Sequence, residues 1–122
     1  MANEITLTAS LSLAKTGQNL TGSVSGLSIT QSGSTNIANV QTVGTTSEQL
    51  SLGDVSSPGY LFLKNLDATN FVVFDLNNPA VASTAFCTLL PGEGAVIPTR
   101  RTAIYAKADT ASCNVFVEML SL

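Results

Sequence analysis

Asn65, Asp67, Asn70, Asp75, Asn77 and Asn78 fall within one short stretch of the chain. Carboxylate and amide oxygens are the hard ligands that calcium takes, and a pair of carboxylates is the minimum for glycosidase acid–base work. The spacing supports neither chemistry. The calcium-loop pattern of an EF-hand is absent, and Asp and Asn in turns bond to their own backbone. These residues are therefore read as turn-formers between two apolar runs, Tyr60–Lys64 and Phe71–Asp75, which together read as a hairpin. No catalytic, cofactor-binding or metal-binding residue is assigned, and the chain is expected not to be an enzyme.

Other chemistries lack their parts. The sequence holds no histidine, so the usual general base and the commonest metal ligand are both missing. Its two cysteines, Cys87 and Cys113, cannot alone complete a structural zinc site. They are expected as buried thiols that pack like small hydrophobes, with a disulfide within the chain or between subunits as the alternative. No phosphate-cradling glycine pattern stands between a strand and a helix, and Gly92-Glu93-Gly94 is a turn. No cofactor is expected. Trp is absent, and the five Phe and two Tyr fall mostly in strand-like runs, where they read as core and count against a sugar-stacking surface.

The elements that would carry these residues are strands. Ile5, Leu7, Ala9, Leu11 and Leu13 alternate with Thr6, Thr8, Ser10 and Ser12, the pattern of a half-buried strand. Further strands are expected over Leu20–Thr30, Ile37–Val43, around Leu50 and Leu52, and over Gly59–Lys64, Phe71–Asp75, Phe86–Leu90, Ala95–Pro98, Thr102–Lys107 and Cys113–Leu120. Pro91-Gly92 suits a type II turn, and Asp109–Ser112 reads as a hairpin loop. No window shows an amphipathic helix. Short strands with frequent turn signals predict an all-β antiparallel sandwich, jelly-roll-like, with about eight or nine strands and essentially no helix.

The 122 residues suit one domain spanning 1–122. An alternative sets residues 1–45 apart as an extended strand or arm pairing with a neighbouring subunit, because the aromatics concentrate beyond residue 55. Charged residues make up 11% of the chain, under half the usual share, and Ser and Thr about a quarter. Such a surface can be covered by neighbouring copies with little loss of hydration, which favours an assembly component. The net charge is −3, and Lys15, Lys64, Arg100, Arg101 and Lys107 form no stripe. A nucleic-acid partner is therefore not expected. No run reads as a membrane span or an export signal, so no membrane partner is expected and synthesis in a cytoplasm is.

From Gln49 onward the chain resembles small virion proteins of tailed bacteriophages. The resemblance rests on "EQLSLGDVSSPGYLFLKNLDATNFVVF", "LLPGEGAVIP" and "AIYAKADTASCNVFVEML" in that order, and covers roughly the last 75 residues. It implies a β-sandwich capsid decoration, cement or fibre-like protein without catalytic residues. The expected role is binding and stabilising the outer capsid surface in the virion, with the major capsid protein as partner and a homo-oligomer, a trimer first, as the working form. A tail, neck or fibre subunit, or a carbohydrate-binding adhesin domain, are the alternatives.

Overall fold

The computed structural model describes residues 3–122, so the first two positions of the expected 1–122 domain lie outside the described residues. Ten strands appear in it: β1 (Ile5–Lys15), β2 (Gln18–Ile29), β3 (Asn36–Val43), β4 (Glu48–Gln49), β5 (Pro58–Asn65), β6 (Val72–Asp75), β7 (Cys87–Leu89), β8 (Gly94–Pro98), β9 (Tyr105–Ala108) and β10 (Cys113–Ser121). All pairings are antiparallel, and no helix occurs among the described residues. The all-β antiparallel fold is as the alternation predicts.

Two four-stranded sheets, ordered β3-β10-β5-β8 and β4-β9-β6-β7, make up the sandwich. The pairing is nested: β3 with β10, β4 with β9, β5 with β8 and β6 with β7. From β3 to β10 each successive strand therefore crosses to the other sheet, except at β6 and β7, which are neighbours in one sheet. Inward-facing side chains alternate along each strand. Val43, Leu61, Leu63, Val115, Val117 and Met119 meet Val72, Phe74, Leu89, Ala106 and Ala108 across the interior, and Leu50, Leu52 and Ile104 complete the core.

Several expectations need correcting. The turn between β5 and β6 closes no hairpin, because the two strands lie in different sheets; residues 66–71 are an arch between them. The same holds for Asp109–Ser112, which joins β9 to β10 across the sandwich. The strand expected at Leu50 and Leu52 is β4, two residues earlier, with both leucines buried just beyond it. Thr102–Ile104 lie outside β9, which begins at Tyr105. The aromatics are not mainly core: Phe74 is the one fully buried ring, and Phe86 is exposed.

β1 and β2 form a separate two-stranded ribbon joined by the Thr16-Gly17 turn. β3 is an edge strand of the sandwich, and the strands outside its two sheets are β1 and β2, paired with each other over residues 5–29. The register shifts between Leu7 and Ala9. Gly26, at φ +61°, supplies the left-handed residue this bulge needs, and its N–H donates to Thr8 Oγ1 at 3.1 Å.

Candidate functional site

The polar residues of the 65–78 stretch hold the fold's corners. Asn65 at the end of β5 is fully buried. Its Nδ2 donates to the carbonyls of Asn70 (2.8 Å) and Leu89 (3.1 Å), while its Oδ1 accepts from the N–H of Asp67 at 2.9 Å. Its backbone N–H donates to the Glu93 carbonyl at 2.9 Å. One side chain thus fastens β5, the arch and β7. Asp67 Oδ2 accepts from the N–H groups of Thr69 (2.9 Å) and Asn70 (2.6 Å), and from the Thr69 hydroxyl and Asn70 amide. Those donors, the Thr69 N–H foremost, hold the Asp67 carboxyl below its usual pKa.

Asp75, almost fully buried, organises the long β6–β7 connection. Its Oδ2 accepts from the Thr84 hydroxyl at 2.6 Å and the Val81 N–H at 3.3 Å, and its Oδ1 from the Asn77 N–H at 3.1 Å. The Thr84 hydroxyl is the main reason its pKa is lowered, against the opposing effect of burial. The loop so held carries Ala80 and Val81 beside Val73, on the outer side of β6. Both carboxylates are thus occupied by donors from their own loops, and among the described residues no cluster of three or more His, Cys, Asp or Glu could hold a metal.

Other residues whose types could carry chemistry are placed as follows. Ser12 and Lys15 carry a Ser-x-x-Lys spacing, but an odd separation on a strand puts them on opposite faces of the ribbon, so no base stands beside that hydroxyl. Cys87 is half-buried and Cys113 buried, and both are free thiols. Burial raises both thiol pKa values, with Glu93 adding to the effect at Cys87 and Asp67 and Asp109 at Cys113. Arg100 is exposed, and its Nη1 donates to the Gly59 carbonyl at 2.9 Å.

What the structure brings together instead are two apolar surfaces outside the core. On the ribbon, cross-strand partners share a face. Ile5 faces Ile29, Leu7 Leu27, Ala9 Val24, Leu11 Gly22 and Leu13 Leu20. The opposite face carries Thr6 with Ser28, Ser10 with Ser23 and Ser12 with Thr21. The ribbon is therefore alkyl on one side and hydroxyl on the other. At its base Ile5 is buried, whereas Leu11 (82%) and Leu20 (63%) lie largely in water.

The second surface is the outer side of the β3-β10-β5-β8 sheet. Since Leu61, Leu63, Val115 and Val117 point inward, Tyr60, Phe62, Phe116, Leu120, Val40 and Val96 point outward. Most are half-buried, and Val40 is exposed. The two surfaces meet in a groove of about 330 Å³ between the ribbon base at Ile5–Thr8 and Tyr60, Phe62, Val96 and Leu120.

The signal for this second surface lies in the unbroken apolar runs Tyr60–Leu63 and Val115–Val117. A strand with both faces apolar needs cover on both. The ribbon's alternation is legible, but nothing in it tells that beyond its base at Ile5 the apolar face has no sheet of its own chain to rest on. In comparisons with known proteins, no family model, no curated protein and no solved structure matches the chain.

Proposed function

We propose that the chain is a structural, non-enzymatic virion protein of a tailed phage, a capsid decoration or cement protein that binds the outer surface of an assembled shell as a homo-oligomer. The observation that carries this reading is the amphipathic ribbon running into an apolar outer sheet face. Together they present uncharged surface suited to neighbours in an assembly, outside a sandwich whose core is already complete. The nested strand pairing supports reading the sandwich as a jelly roll, an architecture found in viral capsid and lectin domains. That support is analogy of fold only.

Mechanistically, such a protein lays its apolar and hydroxyl-bearing faces across junctions between subunits of the major capsid protein. Because it binds only the assembled shell, it stabilises that state by mass action. The test is heat or force inactivation of expanded capsids lacking this protein, with and without the purified chain. Protection and saturable binding are expected; neither occurring would overturn the reading. A tail, neck or fibre location in the same virion is the variant that copy number separates.

A second reading is a glycan-binding domain, favoured by the outward placement of Tyr60, Phe62 and Phe116, since sugar rings stack on aromatic faces. It predicts that the isolated chain binds oligosaccharides and that removing Phe62 abolishes this.

A further inference from the structure

On the ribbon, one feature of shape has no cause inside its own chain. Leu11 is the most exposed large apolar side chain among the described residues, and its cross-strand partner is Gly22. Gly22 has no left-handed backbone to require glycine. A Cβ built there would meet nothing within 4 Å, so packing does not require glycine either. Glycine inside a strand weakens it and often marks close approach of another group. The rung therefore sets a projecting leucine beside an empty notch. The next rung towards the sandwich shows a milder contrast with the strands exchanged, Ala9 on β1 beside Val24 on β2. Shallow apolar depressions of about 270 and 540 Å³ lie on either side of the Leu11–Gly22 rung.

We propose that this face is the chain's self-association surface: ribbons of neighbouring copies pack face to face about an axis along the ribbon, each copy's Leu11 seated over the next copy's Gly22. Rotation about such an axis brings the β1 side of one face against the β2 side of the next. At the Leu11–Gly22 and Ala9–Val24 rungs projections then meet notches, in a two-fold pair or a three-fold ring alike, while at the Leu13–Leu20 rung leucine packs on leucine. Along residues 5–29 the only charge is Lys15, at the tip, so identical faces approach without like-charge repulsion over their length.

The area is sufficient. Leu11, Leu13, Leu20, Val24 and Leu27 leave roughly 500 Å² of side chain in water, the upper range for a monomer. Two such faces in contact remove about 1,000 Å², the lower bound of a specific interface. A ribbon of two strands is also marginal without cover. A different apolar surface, such as a lipid bilayer, would cover the leucines but make no use of the notch.

This inference rests on the assembly reading above. It is tested without any shell present, so it can fail while shell binding succeeds, and the reverse. The intact chain is compared with Leu11→Ala, Gly22→Leu and the exchanged pair Leu11→Ala/Gly22→Leu by size-exclusion chromatography with light scattering over a dilution series, each variant's melting transition being recorded. The wild type is expected to be an oligomer. Gly22→Leu should weaken association at least about tenfold, although it adds an apolar side chain and a better strand former. Leu11→Ala should do the same, and the exchanged pair should regain part of the loss, all with the sandwich still folded. A wild type that stays monomeric to high micromolar concentration overturns the proposal, including the case in which the face then binds phosphatidylcholine vesicles. So does a Gly22→Leu chain that associates as tightly as the wild type, or an exchanged pair no better than Gly22→Leu alone.

Discussion

Phe62 and Phe116 meet edge to face on the outer side of the β3-β10-β5-β8 sheet, with ring centroids 6.0 Å apart and planes inclined at 62°. They sit on the adjacent strands β5 and β10 as diagonal neighbours on one face, two residues from direct opposition, since Phe62 pairs with Glu118 and Phe116 with Lys64. An edge-to-face pair contributes about 0.5–1.5 kcal/mol beyond the area it buries. A double-mutant cycle with Phe62→Leu and Phe116→Leu, read by denaturant unfolding, should return a coupling of that size. The double variant should stay folded yet lose most of its binding to shells, because the rings lie outside the core.

The core and the ribbon should respond to the same truncation with very different losses. Leu63 is fully buried between the sheets, whereas Leu11 lies mostly in water. Leu63→Ala should cost about 2–5 kcal/mol, the sum of lost transfer energy and a cavity. Leu11→Ala should leave the unfolding of an isolated copy within about 0.5 kcal/mol of wild type. Urea titrations at low protein concentration make the comparison.

Asn65 is the polar residue whose loss the sandwich should feel most. Its amide satisfies two backbone carbonyls and accepts one N–H, all at the corner where β5, the arch and β7 converge. Asn65→Leu leaves those groups without partners in a buried place, and about 2–4 kcal/mol of destabilisation is expected. Thermal and denaturant melts of the variant measure it.

Much of this fold is legible in the sequence, and the reasons differ by element. β10 could be read because Cys113, Val115, Val117 and Met119 keep a strict period of two, and all four are buried. The destination of the Asn65–Asn70 corner could not be read, because the same Asn and Asp chemistry closes a hairpin or an arch between sheets. β4 has only two residues, too few for any period to show. The parity that places Leu61 and Leu63 inside also places Tyr60 and Phe62 outside. The concentration of rings in strands masked that, since a strand residue is core only if its face is covered. The alternation of β1 likewise specified an apolar face without specifying what lies on it.

Acid should loosen the corners. Asp67 and Asp75 have pKa values held below the usual 3.8 by hydrogen bonds that exist only in the folded chain. Their contribution is fully present above the unfolded pKa and is lost as pH falls through the lower folded one. The melting temperature should therefore change little between pH 7 and about pH 5, then drop below about pH 4. Asp75→Asn should melt several degrees lower than wild type at neutral pH and show a shallower acid decline. Calorimetry across that range decides it.

The thiols should be slow. Burial raises the pKa of both Cys87 and Cys113, so less thiolate is present at a given pH than in an open thiol. A disulfide reagent at pH 8 should modify the native chain more slowly than glutathione, with Cys113 last, and should modify both at once in denaturant. Fast modification of Cys113 in the native chain would contradict its placement.

Whether the chain coats an assembled shell, as proposed, is decided by its copy number in purified virions. Quantitative mass spectrometry, normalised to the major capsid protein, should find hundreds of copies per particle. A dozen or fewer would contradict a decoration role and move the chain to the tail or fibre, and none at all would contradict a place in the virion.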